Sequence, residues 1–257
     1  MLLCIDIGNS EIKLGLFDGN EMRKHWRIAT DQTRLADEYA VLMTQLFEVN
    51  KINFTEVGGV AISSVVPPLT LTFIELCNNY LHLEPVMYEP DRNLGMKINT
   101  EYPAEVGTDL IMNALAAYQL FRTESIVVGF GTATSFIAIS SEGDLEGVAI
   151  APGILASANS LFRSAAALPQ VALSHPKHAI GKNTLDSMRS GIVYGFVGLV
   201  EGLITRMKKE IGGNPQVIAT GGLASLIAPE TAMIEVVEPN LALIGLKRMY
   251  EISKNGY

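Results

Sequence analysis

Two stretches of the sequence share one plan and decide the fold: residues 3–17, LCIDIGNSEIKLGLF, and residues 126–140, IVVGFGTATSFIAIS. Each opens with apolar residues, passes through a glycine turn and returns to apolar residues that alternate with small or polar ones. This pattern predicts two β-strands joined by a tight turn. Gly8 and Gly131 occupy the same place in the two stretches. Because the motif recurs after about half the chain, we expect two similar α/β domains.

Helix patterns lie between and after these stretches. Apolar residues at helical spacing predict helices over residues 35–49, 69–81 and 110–121. Asn183 or Thr184 caps a longer predicted helix, because both residue types accept hydrogen bonds from the first backbone N–H groups of a helix. The glycine pair 212–213 follows that helix and is typical of a helix end.

The composition favours a folded, water-soluble protein. The 257 residues are 48% hydrophobic and 18% charged, which supplies ample material for a core. A net charge of -8 argues against nucleic acid and anionic membranes as partners. The N-terminus lacks the basic region of a signal peptide, and no apolar run reaches the roughly 20 residues of a membrane span. We expect a cytoplasmic α/β protein with domains over 1–122 and 123–257.

The first candidate site is Asp6-Ile7-Gly8-Asn9-Ser10. A glycine turn lets backbone N–H groups approach an anion such as phosphate without basic side chains. A carboxylate just before that turn can hold Mg²⁺ through water against a polyphosphate. For this motif alone an ordinary hairpin with an Asx turn remains the alternative.

Two further glycine motifs extend this prediction. Gly131-Thr132 repeats the first turn, and two such turns can hold the phosphates of one nucleotide. Neither turn is a P-loop, because no Gly-Lys-Ser/Thr follows a strand and opens a helix. Gly221-Gly222 stands between a predicted strand and a helix, where paired glycines allow a flat ring such as adenine to lie on the backbone. A plain tight turn is the alternative there.

Gly107-Thr108-Asp109 precedes the helix predicted from Leu110. An aspartate next to a substrate hydroxyl can act as general base in phosphoryl transfer. Aspartate is also a preferred N-cap residue, so a purely structural role remains open for Asp109 at this point.

Six motifs in one order resemble the type III pantothenate kinases, of the acetate/sugar kinase–Hsc70–actin superfamily. They are DIGNS, VGTD, GFGTATS, APG, IGKNTLDSMRSGIVYG and ATGGLA, which span some 220 residues. The resemblance implies two ribonuclease-H-like domains, a homodimer and ATP-dependent phosphorylation of pantothenate in coenzyme A biosynthesis. It also implies Mg²⁺ and a monovalent cation, K⁺ or ammonium.

The resemblance also implies roles for individual residues. The first phosphate loop would contain Asp6, Gly8, Asn9, Ser10 and Lys13, with Asp6 near Mg²⁺. The second phosphate loop would contain Gly131 and Thr132, and the adenosine would lie by Gly221 and Gly222. The acceptor would be bound by Gly107, Thr108, Asp109, Leu110 and Thr184, with Asp109 as the base for the pantothenate hydroxyl.

Two positions depart from the family pattern. The family's Gly-Ala-Asp-Arg ends here in Leu110, which lacks the guanidinium that would hold an anionic group. The aspartate that binds the family's monovalent cation is replaced by Gly129. A pantothenate kinase is the leading interpretation. The alternatives are a catalytically impaired paralogue, acting in ligand binding or as a transcription accessory protein like the Bvg accessory factors, and a kinase for a different small hydroxyl compound.

Overall fold

A computed structural model describes residues 1–90, 92–165 and 168–255. Within these ranges the strands are β1 (Leu2–Ile7), β2 (Glu11–Asp18), β3 (Glu21–Ala29), β4 (Gly59–Ser64), β5 (Val86–Met87), β6 (Ser125–Phe130), β7 (Ala133–Ile139), β8 (Leu145–Pro152), β9 (Gln216–Thr220) and β10 (Val236–Val237). The helices are α1 (Ala36–Val49), α2 (Pro67–Leu76), α3 (Thr108–Phe121), α4 (Ile154–Ser164), α5 (Thr184–Ile211), α6 (Ala224–Ile227) and α7 (Leu241–Asn255). A π-helical turn extends α2, and short 3₁₀ turns join several of the other elements.

The chain forms two compact units whose boundaries differ from the predicted domains. The first unit comprises Met1–Met96, Glu101–Gln119 and Leu241–Tyr257, and the second comprises Lys97–Thr100 and Leu120–Asn240. The main difference is α7, which the division at residue 122 places in the second domain but which packs against β1, β2 and β4. Residues 256 and 257, the end of the predicted second domain, lie outside the described residues.

The first unit is built on a five-stranded sheet in the order β3-β2-β1-β4-β5. Strand β1 pairs antiparallel with β2 and parallel with β4. Because side chains alternate between the two faces of a strand, Leu3, Ile5 and Ile7 face the core formed with α1 and α2. The opposite face receives α7, where Leu243 lies against Gly15 and Tyr250 against Gly59. That face also carries Asp6.

The second unit repeats this plan. Its sheet has the order β10-β9-β6-β7-β8, with β6 antiparallel to β7 and parallel to β9. The two predicted strand–turn–strand motifs are therefore confirmed. Helix α5 begins as predicted, because the Asn183 side chain accepts a hydrogen bond of 2.9 Å from the backbone N–H of Asp186. No helix in the described part of the chain has the length and apolar character that crossing a membrane requires.

Candidate active site

A row of three side chains crosses the first sheet at the centre of the predicted site. In the strand register Asp6 of β1 is the direct partner of Lys13 on β2 and of Ser63 on β4. Directly paired residues point to the same face of a sheet. Lys13, Asp6 and Ser63 therefore form one polar row, in the order in which the strands lie.

Asp6 is only 7% exposed, and burial raises the pKa of its carboxyl to about 6. The nearby Lys13 ammonium opposes this effect and lowers the pKa, whereas the negative charge of Asp109 adds to the rise. Asp6 also accepts a hydrogen bond from the Ser63 hydroxyl. The row thus combines a buried carboxyl group with one cation and one hydroxyl donor.

Helix α3 brings the candidate base to this row. The Thr108 hydroxyl donates to the backbone oxygen of Ser64 at 3.1 Å, and its Oγ1 lies 3.1 Å from the Ser63 Oγ. The carbonyl of Gly107 accepts from the N–H groups of Leu110 and Ile111 at 3.0 and 3.2 Å, so Gly107 is the N-cap, directly before the first helical residue Thr108. Asp109 lies one position beyond the first helical residue, inside the first turn.

The Asp109 carboxyl folds back over Gly107. A Cβ atom on Gly107 would lie 2.6 Å from the Asp109 Oδ1, so only glycine leaves this space free. Burial raises the pKa of Asp109, while backbone N–H groups and the Lys13 ammonium lower it. An aspartate held in a partly buried site with a raised pKa has the character of a general base.

The first glycine turn is closed and then clamped from β3. The Gly8 N–H donates to the Glu11 carbonyl at 3.1 Å. Thr30, directly after β3, donates its hydroxyl to the Gly8 carbonyl at 2.6 Å and its N–H to the Ser10 carbonyl at 3.2 Å. Asn9 and Ser10 remain exposed at the tip. A rigid turn with an exposed tip suits the binding of an anion by backbone groups.

The second unit presents the matching turn and the paired glycines at one edge of its sheet. The Gly131 N–H donates to the Ala133 carbonyl at 3.0 Å, and Thr132 is exposed. Gly221 has φ +94°, and a Cβ there would lie 2.4 Å from the Phe130 carbonyl oxygen. Only glycine fits this left-handed, closely packed position. Because β6 and β9 are parallel, their carboxyl ends place both motifs together, with Gly222 next in the chain.

The remaining candidates lie as follows. Leu110 is partly exposed in the first turn of α3. Thr184 lines an apolar cavity of about 580 Å³ in the second unit, beside Gly191 and Gly195 of α5. Gly129 lies on β6 opposite Ser135, and a Cβ there would meet the Ser135 Oγ at 2.6 Å.

Two residues of the site were missed by the sequence analysis. Ser63 carries no glycine or motif context that marks it, and only the pairing of β4 with β1 brings it to Asp6. Thr30 lies 22 residues from the turn that it clamps. A serine at the end of the strand parallel to β1 is the one signal that could have pointed to Ser63.

The donor set fits Mg²⁺ better than a monovalent cation. No group of three or more His, Cys, Asp or Glu side chains is arranged for a metal in the residues that the structure describes. Mg²⁺ does not need one, since it keeps several waters and takes one or two carboxylates beside substrate phosphates. Asp6 meets that requirement. Gly129, where the resemblance would place the ligand of a monovalent cation, offers no carboxylate.

The sequence of the chain is similar to that of a family of kinases. A family model described as type III pantothenate kinase matches residues 2–206. Type III pantothenate kinases from Roseiflexus sp. and Brevibacillus brevis are 49% and 48% identical to the chain. The alignments cover 99% and 98% of this chain and 100% and 98% of those proteins.

Solved structures agree with this fold. A Baf family protein from Campylobacter jejuni aligns with a TM-score of 0.62 at 20% identity, over 98% of this chain and 99% of that one. Component A of (R)-2-hydroxyglutaryl-CoA dehydratase from Acidaminococcus fermentans aligns with a TM-score of 0.54 at 13% identity, over 98% of each chain. The two α/β units are ribonuclease-H-like, as in acetate/sugar kinases, Hsc70 and actin. The chain belongs to the type III pantothenate kinase family.

Proposed function

We propose that this protein phosphorylates pantothenate with ATP, the reaction for which its relatives are named. The observation that carries the proposal is the grouping of Asp6, Lys13 and Ser63 with Asp109 in the first unit. Phosphoryl transfer needs mainly positioning and charge stabilisation. Asp6 supplies a carboxylate for the metal, Lys13 supplies a positive charge, and Asp109 supplies a candidate base.

Each of these residues has its own role in the proposed reaction. Asp109 accepts the proton of the pantothenate hydroxyl as that oxygen bonds to the terminal phosphorus of ATP and the bond to ADP breaks. Asp6 would hold Mg²⁺, which when bound would neutralise charge on the phosphate oxygens. Lys13 supplies a further positive charge beside both carboxylates.

The glycine motifs bind the nucleotide in this proposal. The exposed residues Asn9 and Ser10, which follow Gly8, bind phosphate through their backbone, and Thr132, which follows Gly131, does the same in the second unit. The adenosine lies by Gly221 and Gly222, of which Gly222 is exposed. The hydrogen bond from Thr30 to the Gly8 carbonyl supports the phosphate role of the first turn, since rigid backbone donors bind anions without reorganisation.

We further propose that α5 forms the interface of a homodimer. Gly191, Gly195 and Gly198 are exposed along this helix, and a Cβ atom on any of them would meet nothing within 4 Å. The cavity beside them is lined mostly by apolar side chains, including Leu161, and also contains Thr184. A second copy would bury this face and bring Thr184 to the interface, where it could reach bound pantothenate.

For the monovalent cation we propose that the requirement is lost. The family's cation-binding aspartate is replaced by Gly129, which has no side chain to bind a cation. A Cβ atom on Gly129 would lie 2.6 Å from the Ser135 Oγ, so the Ser135 hydroxyl occupies the space where a side chain would begin. A kinase without this ligand should turn over equally well with K⁺, with ammonium or with a large organic cation.

The test is an ADP-release assay with purified protein, ATP-Mg and pantothenate, in the presence and absence of K⁺ or ammonium. We expect ADP release that depends on pantothenate. We expect Asp109→Asn to lower the rate of that release by about 10³-fold. The same variant should retain ATP-Mg binding in a thermal-shift assay. Absence of release, beside an active family member, would refute the kinase proposal and favour an impaired paralogue. ATP-Mg binding without a response to pantothenate would favour a different hydroxyl acceptor.

A further inference from the structure

We propose that Ser63 is a positioning residue for the phosphoryl transfer, joining the Asp6 carboxyl to Thr108 and so holding the first turn of the helix that carries Asp109. The inference rests on the proposed function, because it assigns a role within the same site. It adds a residue that belongs neither to the glycine turns nor to the Gly107-Thr108-Asp109 segment.

The location of Ser63 supports this role. Ser63 is 2% exposed near the end of β4, and its register partner on β1 is Asp6. Its Oγ lies 3.1 Å from the Oγ1 of Thr108, the first residue of α3. Thr108 also donates to the carbonyl of Ser64 at 3.1 Å. The start of α3 is therefore tied to two successive residues of β4.

Counting protons shows why a hydroxyl is needed at this position. An ionised carboxylate only accepts hydrogen bonds, and each hydroxyl has one proton to give. The Ser63 proton goes to Asp6, which leaves the Ser63 oxygen free to accept from Thr108. The Thr108 proton is then shared between the Ser63 oxygen and the Ser64 carbonyl. A side chain at residue 63 must both donate and accept, and alanine does neither.

The consequence reaches Asp109 through the helix. Thr108 and Asp109 are adjacent residues of the first turn of α3, so a shift of Thr108 moves the Asp109 carboxyl with it. Misplacement of a reacting group by about 1 Å can lower a rate by about 10²-fold. Loss of the Ser63 hydroxyl should therefore lower kcat rather than weaken substrate binding.

Ser63→Ala tests the proposal, and Ser64→Ala is the matched control. The Ser64 hydroxyl belongs to the neighbouring residue but bonds to Thr70 and to the N–H of Val66, away from α3. We expect Ser63→Ala to lower kcat by about 10- to 100-fold. Its KM values for ATP and pantothenate should stay within about threefold, and Ser64→Ala should leave kcat unchanged.

Variants of Thr108 keep the test decisive if Ser63→Ala folds poorly. Thr108→Val should lower kcat to a similar extent, and Thr108→Ser, which retains the hydroxyl, should lower it less. The Ser63→Ala/Thr108→Val pair should be no slower than the worse single variant, because both remove one link. Equal loss in Ser63→Ala and Ser64→Ala, additive losses in the pair, or a change confined to KM would overturn the proposal. A wild-type protein without turnover would instead refute the proposed function, and the two failures are thereby distinguished.

Discussion

Replacement of Gly107 by alanine should displace the candidate base without unfolding the protein. The added Cβ would lie 2.6 Å from the Asp109 Oδ1, whereas ordinary contacts begin at 3.4 Å. The carboxyl group must therefore move by about 0.8 Å, given that its backbone is held in the first turn of α3. The φ of Gly107 is not among the positive values in the chain, so alanine suits the backbone there.

The expected loss follows from that displacement. A shift of this size should lower kcat by about 10²-fold, which corresponds to roughly 2.7 kcal/mol of transition-state stabilisation. The free energy of unfolding should fall by no more than about 1 kcal/mol, since the one expected cost is that alanine stabilises a helix N-cap less than glycine does.

Steady-state kinetics and urea denaturation measure both quantities. Gly147→Ala is the matched control, because a Cβ there meets nothing within 4 Å and the residue lies on β8 of the second unit. A kcat for Gly107→Ala within threefold of the wild type, in a protein where Asp109→Asn lowers turnover by about 10³-fold, would refute the argument that this contact fixes the base. An equal loss in Gly147→Ala would do so as well.

Three further predictions concern charge, cation use and assembly. Because burial raises the pKa of Asp6 to about 6, the contribution of Asp6 to stability falls as pH rises from about 4 to 6. Without Mg²⁺, Asp6→Asn should therefore raise the free energy of unfolding at pH 8 by about 3 kcal/mol and by much less below pH 5. A denaturation series in which Asp6→Asn gains equally at both pH values would contradict this account. Gly129→Asp should create a dependence of kcat on K⁺ that the wild type lacks, after the Ser135 hydroxyl rotates away; an identical cation response in both proteins would exclude Gly129 as the altered ligand position. Gly195→Glu should convert a dimer to a folded monomer in light scattering, and a dimer that persists would place the interface elsewhere.

Much of the fold was predictable from local pattern. The strand–glycine turn–strand stretches and the helix capped by Asn183 were predicted because apolar periodicity and turn chemistry act within a few residues. Strand β3 was not predicted, because at the sheet edge most of its side chains are exposed and polar, and only Met22, Trp26 and Ile28 are partly buried. Exposure removes the hydrophobic alternation by which a strand is recognised.

The candidate site, like the fold, was predictable from the sequence only in part. The sequence by itself determined the residues of the glycine turns and the Gly107-Thr108-Asp109 segment, because each motif is contiguous and its chemistry is carried by neighbouring residues. Only the tertiary structure decided that Ser63 meets Asp6, that Thr30 clamps the first turn and that α7 packs on the first sheet. These contacts join residues far apart in the chain, and strand register and packing, which no local pattern encodes, bring them together.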